Sequence, residues 1–300
     1  MSQLTSICLL GFGEVGQALA SDLGKISDIH LTAWDVLFDV DSSAPSQGIE
    51  RTSWVGKCAS ATEAVRNCDL IISAVTAAEV LVAARSVTQA ISPGAYYLDM
   101  NSVSPKTRLQ AADIIEHSGG KFVEAAVMAA IEPKRMASSI LLGGPHANQF
   151  KEFGVSLGFT AAKVFSGRVG PASATKMCRS VIIKGMEALF AESLVAARHY
   201  GVETDVVESL TNLLQVEDWQ AQARYMISRS IQHGTRRAEE MREAAATIDD
   251  AGIDPLMSAA CVSRQEWSAT FDDALITDEL GGMLDEMLPS EEKTMERKTA

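Results

Sequence analysis

Leu4-Thr5-Ser6-Ile7-Cys8-Leu9-Leu10-Gly11-Phe12-Gly13-Glu14-Val15-Gly16 reads as a short apolar strand running into a glycine turn. Gln17 to Lys25 carries Ala18, Leu19 and Leu23 at helical spacing, so the turn opens a helix. Each glycine has a physical task. Gly11 permits the tight turn, Gly13 lets backbone approach a pyrophosphate, and Gly16 lets helix and strand pack closely. Free N–H groups at the positive end of the helix would then meet the phosphates, with Phe12, Glu14 and Val15 lining the turn.

The second apolar run, Ile29 to Trp34, ends in Asp35, 19 residues past Gly16, where a ribose 2′-hydroxyl is expected. A carboxylate there accepts from the diol and repels a 2′-phosphate, which favours NAD and makes NADP the less favoured cofactor. A glycine turn alone also fits a ligand-free turn, a flavin or another adenine-bearing ligand. The flanking strand, helix and acid are what favour a nicotinamide dinucleotide.

Outward from this unit the chain alternates. Residues 39–57 read as a loop or weak element, Ala61 to Arg66 as a helix and Asp69 to Val75 as a strand short enough to be covered on both faces. Helix Val80 to Ala90, strand Ala95 to Asp99, helix Pro105 to His117, strand Lys121 to Ala130 and strand Ile140 to Pro145 follow. The pattern specifies an α/β fold, a doubly wound parallel sheet of the Rossmann kind, with ligand groups at the carboxyl ends of its strands. Val75 and Thr76 end one strand, and Asn101 and Ser102 follow the next. Ser102 and Ser104 fit helix capping before Pro105 as well as they fit cofactor contact.

Gly167-Arg168-Val169-Gly170-Pro171-Ala172-Ser173-Ala174-Thr175-Lys176 opens a second region. Pro171 suits the first helical position, and the run to His199 is a long apolar helix expected to be packed on most sides as an interdomain spine. Lys176, Ser180 and Lys184 fall on one stripe of it, where lysines commonly snorkel to water. Beyond it, Val206 to Leu214, Trp219 to Ile231, Arg236 to Ala251 and Leu256 to Thr270 read as helices divided by Gly234, Gly252 and Pro255. Five arginines between Arg224 and Arg242 suit a self-paired face, with Arg236 or Arg237 available to a ligand. The expected domains are 1–165, the dinucleotide-binding sheet; 166–288, an all-helical substrate and dimerisation domain; and 289–300, a charged, disordered tail.

Composition narrows the function. The net charge of −13 divides as 12 Lys+Arg against 16 Asp+Glu in 1–165 and 14 against 23 in the rest, so both halves repel a polyphosphate and no nucleic acid is expected. Cys8, Cys58, Cys68, Cys178 and Cys261 form no C-x-x-C pair, which argues against a disulfide framework and a metal site. The first residues lack a basic stretch before the short apolar run, so neither a signal peptide nor a membrane partner is expected, and a cytoplasmic location is the default. An acidic chain with an apolar helical second half is expected to form a homodimer through that half.

Together these stretches resemble the β-hydroxyacid dehydrogenase family, the relatives of 3-hydroxyisobutyrate and 6-phosphogluconate dehydrogenases, to about residue 285. Gly11 to Gly16 is similar to the family's cofactor turn and Asp99 to Pro105 to its D-x-S-T-x-x-P segment. Glu124 to Ala130 lies where the family has D-A-P-V-S-G-G, and Gly167 to Ser180 resembles G-x-x-G-x-G-x-x-x-K-x-x-x-N. The departures mark a divergent branch: Met128-Ala129-Ala130 replaces Ser-Gly-Gly, Ser180 replaces the asparagine, and Arg236-Arg237 stands where a Lys-Asp is usual.

The resemblance implies an NAD-dependent oxidoreductase moving a hydride between nicotinamide and the hydroxyl carbon of a hydroxy acid or related alcohol. Lys176 would be the general acid and base, with Ser180 orienting it or the substrate. Burial beside a positive nicotinamide would lower the amine's pKa toward working pH. Ser102, Met128, Ala129, Ala130 and Arg237 would meet a small-molecule substrate, larger or more apolar than hydroxyisobutyrate. The rivals are an imine or pyrroline-carboxylate-type reductase, which does not need this lysine, and a catalytically inactive NAD-binding regulator.

Overall fold

The computed structural model describes residues 5–210, 217–252 and 254–288. Leu4 of the first strand, residues 211–214 of one expected helix and the tail 289–300 lie outside the described residues. The chain divides into two compact units, one ending at Cys178 and the other beginning at Arg179.

The first unit carries β1 (Thr5–Leu10), α1 (Glu14–Leu23), β2 (Ile29–Trp34), α2 (Ala44–Glu50), β3 (Val55–Lys57), α3 (Ala61–Ala64) and β4 (Leu70–Ser73). It continues through α4 (Val80–Ser86), β5 (Tyr96–Asp99), α5 (Pro105–His117), β6 (Lys121–Val127), β7 (Ile140–Gly143), α6 (Ala147–Ser156) and β8 (Ala162–Ser166) into the start of α7 (Pro171–Tyr200). The strands form one sheet in the order β3-β2-β1-β4-β5-β6-β7-β8. All neighbours pair in parallel except β6 and β7. Alternation along β1 shows why the sheet is covered twice: Ile7 and Leu9 enter one buried cluster, Cys8 and Leu10 the other.

Two short elements arise where a loop or weak element was expected. Ser43 caps α2 by accepting from the Ser46 N–H at 3.1 Å, and Pro45 sits in its first turn. β3 adds three residues to the sheet edge with only Val55 buried, too little apolar pattern to announce a strand. α4 stops at Ser86, and α6 was not foreseen. The reversal at β7 departs from an all-parallel sheet, since an apolar run does not encode the direction in which it pairs.

The second unit contains the rest of α7, α8 (Glu203–Ser209), α9 (Trp219–Asp250), α10 (Leu256–Ser268), a 3-10 turn (Asp272–Ile276) and α11 (Leu280–Met287). Its main core gathers Phe190, Leu194, Trp219, Ile227, Met283 and Met287, with Phe190 stacked on Trp219 at 5.5 Å. α9 runs unbroken through Gly234, contrary to the expected division there. A Cβ at Gly234 would lie 2.2 Å from the Gln265 carbonyl of α10, so this glycine admits a neighbouring helix instead of ending its own. α7 is also less enclosed than expected. Ile182 is 63% and Leu189 53% exposed, seven positions apart on one stripe.

Candidate active site

The glycine turn joins two close backbone contacts and one open position. Gly11 has φ +97°, and a Cβ on it would meet the Ala74 carbonyl at 2.4 Å; a Cβ on Gly16 would meet the Gly11 carbonyl at 2.3 Å. Around Gly13 no atom lies within 4 Å of that position. The fold itself therefore requires the first and third glycines, while the second leaves open space at the N-terminus of α1 where a pyrophosphate needs to approach. The residues present fit the dinucleotide.

Asp35 closes the turn from the end of β2. Its Oδ2 accepts from the Phe12 N–H at 2.7 Å and its Oδ1 from the Leu37 N–H at 2.9 Å. Phe12 is fully buried, edge-on to Phe38, so its side chain anchors the turn. Glu14 is exposed, and Val15 packs against the core. No arginine or lysine occurs in 36–43 to receive a 2′-phosphate.

At the next strand ends, Asn101 ties β4 to β5. Its Oδ1 accepts from the Val75 N–H at 2.7 Å, and its Nδ2 donates to Ser73 Oγ at 3.0 Å and Asp99 Oδ1 at 2.6 Å. Thr76, exposed, begins the 3-10 turn that follows β4. Ser104, not Ser102, caps α5, accepting from the Thr107 N–H at 3.2 Å. The half-buried Ser102 instead accepts from Lys176 Nζ at 2.5 Å. Met128 ends the β6 ladder with its N–H on the Ser139 carbonyl at 2.9 Å, and Ala129 and Ala130 are exposed beside it.

In the helical unit the charges pair inward. Ser180 is buried and accepts from Lys184 Nζ at 3.5 Å, and Lys184 pairs with Glu240 at 2.6 Å. Lys184 was expected to reach water. Burial holds its pKa below the ordinary lysine value, with Glu240 pulling the other way. Arg236 pairs with Glu240 as well. Arg237, expected to meet a substrate anion, is buried against Glu187 instead, and burial lowers its pKa to about 10.

A family model described as the NAD binding domain of 6-phosphogluconate dehydrogenase matches residues 6–170, and a domain of unknown function, DUF1932, matches 197–268. The chain belongs to this NAD-binding dehydrogenase family. Membership places it among NAD(P)-dependent dehydrogenases that act on CH–OH groups. It is 32% identical to a conserved hypothetical protein of Sinorhizobium meliloti over 95% of this chain and 96% of that one, with a TM-score of 0.72. It is 30% identical to a conserved protein of unknown function reported as structurally similar to 3-hydroxyacid dehydrogenases, over 92% and 99%, with a TM-score of 0.66. Rat mitochondrial 3-hydroxyisobutyrate dehydrogenase is 22% identical over 73% of this chain and 65% of its own length.

In this dehydrogenase-family chain the sheet also holds buried charges that the sequence reading passed over. Asp99, Arg108 and Glu124 are fully buried, as is Ser173. A signal existed: Glu124 interrupts the apolar run Phe122-Val123-Glu124-Ala125-Ala126, and a carboxylate inside such a strand must have a partner.

Proposed function

We propose that the chain is an NAD-dependent oxidoreductase acting between a hydroxy acid or related alcohol and its carbonyl form, with Lys176 as general acid and base. The observation that carries this reading is the hydrogen bond from Lys176 Nζ to Ser102 Oγ, which puts an amine and a hydroxyl together beside the strand ends that border the glycine turn. NAD, when bound, supplies the hydride acceptor at its nicotinamide C4 and, reduced, the donor. Alcohol oxidation must also lose the hydroxyl proton, and Lys176 takes it; in carbonyl reduction Lys176 returns it to the oxygen. Ser102 orients the substrate hydroxyl or carboxylate. Ser180, next on the same stripe of α7, orients the lysine or the substrate.

Asp35, with no arginine or lysine in 36–43, supports NAD over NADP. Met128, Ala129 and Ala130 support a substrate less polar or larger than hydroxyisobutyrate, because a hydroxyl donor is absent and apolar bulk is added. The exposed stripe at Ile182 and Leu189 supports a homodimer through the helical unit. No helix among the described residues is long and apolar enough to cross a membrane, and a cytoplasmic protein without nucleic-acid partners remains our reading.

The test is Lys176→Met, followed by NADH binding through fluorescence and by turnover with 3-hydroxyisobutyrate, glycerate, glyoxylate and short aldehydes. Intact binding with turnover lost by at least roughly a hundredfold supports the assignment. Undiminished turnover removes the lysine and favours the imine-reductase reading. Wild-type binding with no turnover on any carbonyl or alcohol favours a regulator.

A further inference from the structure

A guanidinium sealed from water destabilises the fold unless its donors are matched. Arg108, on α5, meets that demand by reaching two separate pieces of chain, Asp99 to Asn101 and Ser173. Its Nη1 donates to the Asp99 carbonyl at 2.5 Å and pairs with the Asp99 carboxylate at 2.8 Å. Nη2 donates to the Asn101 carbonyl at 2.5 Å, and Nε donates to Ser173 Oγ at 3.0 Å. The Ser173 hydroxyl then donates to Glu124 Oε1 at 2.5 Å, and the Ser173 N–H reaches the same oxygen at 2.6 Å. Glu124 Oε2 accepts the Gly170 N–H at 2.8 Å. A carboxylate from β6 thus caps α7 at its positive end, the favourable sign for a helix N-terminus.

The consequence lies in what these contacts adjoin. Asn101 immediately precedes Ser102, and Ser173 stands three residues, just under one turn, before Lys176. One planar fork therefore holds the backbone before Ser102 and the side chain of Ser173 on the helix that carries the amine. Apolar packing would tolerate small slides of a helix along a sheet; directional, charge-assisted bonds to a buried fork do not. Reaction geometry punishes such slides, since a displacement of about 1 Å can cost roughly a hundredfold in rate.

We propose that Arg108, Ser173 and Glu124 are positioning residues that hold the Lys176 amine against Ser102. The functional meaning of this rests on the proton-transfer reading of Lys176; the geometry does not. The full-length protein is labelled with formaldehyde and cyanoborohydride, and methylation of each lysine is followed by mass spectrometry. Ser173→Ala removes the hydroxyl between Arg108 and Glu124 while keeping the N–H that binds Glu124. Lys176 should then label roughly ten- to a hundredfold faster, the scale of one lost hydrogen bond to a charged group. Lys121 and Lys163 should keep their rates, and Ser173→Thr should restore slow labelling.

Ser102→Ala, which deletes the hydroxyl that the amine donates to, should also label faster than wild type. Arg108→Lys keeps the charge opposite Asp99 without the fork and serves if Ser173→Ala does not fold. Unchanged Lys176 labelling in the folded positioning variants overturns the proposal, whether or not Ser102→Ala is faster. Equal acceleration at all three lysines also overturns it, since that is general loosening. Labelling reports where the amine is held, and Lys176→Met turnover reports what it does, so the two readings fail separately.

Discussion

Lys176 Nζ donates to Ser102 Oγ at 2.5 Å across 74 positions of sequence. One partner follows β5, and the other lies in the second turn of α7. The amine is half-buried, a setting in which it stays reachable from solvent while its orientation is fixed. The glycine turn and Asp35 sit at neighbouring strand ends, as the topology of such sheets requires of a shared ligand site.

Gly13 and Gly16 should separate binding from folding. Gly16→Ala places a methyl 2.3 Å from the Gly11 carbonyl and is expected to lower stability by roughly 1–3 kcal/mol. Gly13→Ala meets no atom within 4 Å and should leave the urea midpoint nearly unchanged while weakening NADH binding at least roughly tenfold. Titrations showing undiminished NADH affinity in a folded Gly13→Ala protein would count against the cradle.

Asp35→Asn removes the charge and keeps an acceptor oxygen for only one of the two N–H groups, Phe12 or Leu37, that the carboxylate holds with separate oxygens. NADH affinity should fall and NADPH affinity rise, shifting the preference by roughly tenfold or more toward the phosphorylated cofactor. Dissociation constants for both cofactors, measured at one ionic strength, check this. An unaltered ratio would show that the carboxylate serves the turn alone.

Lys184 gives a pH dependence with a definite sign. Burial holds its pKa below the usual 10.5, so the folded chain binds this proton less tightly than the unfolded chain. The charged amine therefore costs stability below its folded pKa, and the cost fades as pH rises toward 10.5. Wild type should gain on Lys184→Met as urea midpoints are taken from neutral pH to about pH 10. A difference that stays flat or runs the other way would mean that Glu240 compensates the amine fully.

Much of this architecture is legible in the letters because local and global demands coincide. Ser104 and Pro105 mark the start of α5 by capping and by a fixed φ, and the helix begins and ends where the pattern puts it. The same is true of β2, whose apolar run is bounded by an acid. Other features depend on partners far along the chain. Gly234 has the composition of a helix stop and becomes a contact point only because Gln265 arrives beside it. Arg108 and Glu124 look like ordinary charges until Ser173, 65 and 49 residues away, joins them. Arg237 reads as a free charge for the same reason, and the structure pairs it with Glu187, 50 residues earlier.

The role of Lys176 is tested most directly by chemical rescue. Lys176→Ala is assayed with a series of small primary amines of graded basicity, after NADH binding and folding are shown to be intact. Turnover should be close to absent without amine, return as amine is added, and follow the basicity of the added amine, as proton transfer requires. Full turnover without amine, or no recovery with any amine in a folded, NADH-binding variant, would contradict the assignment of this residue as the proton carrier.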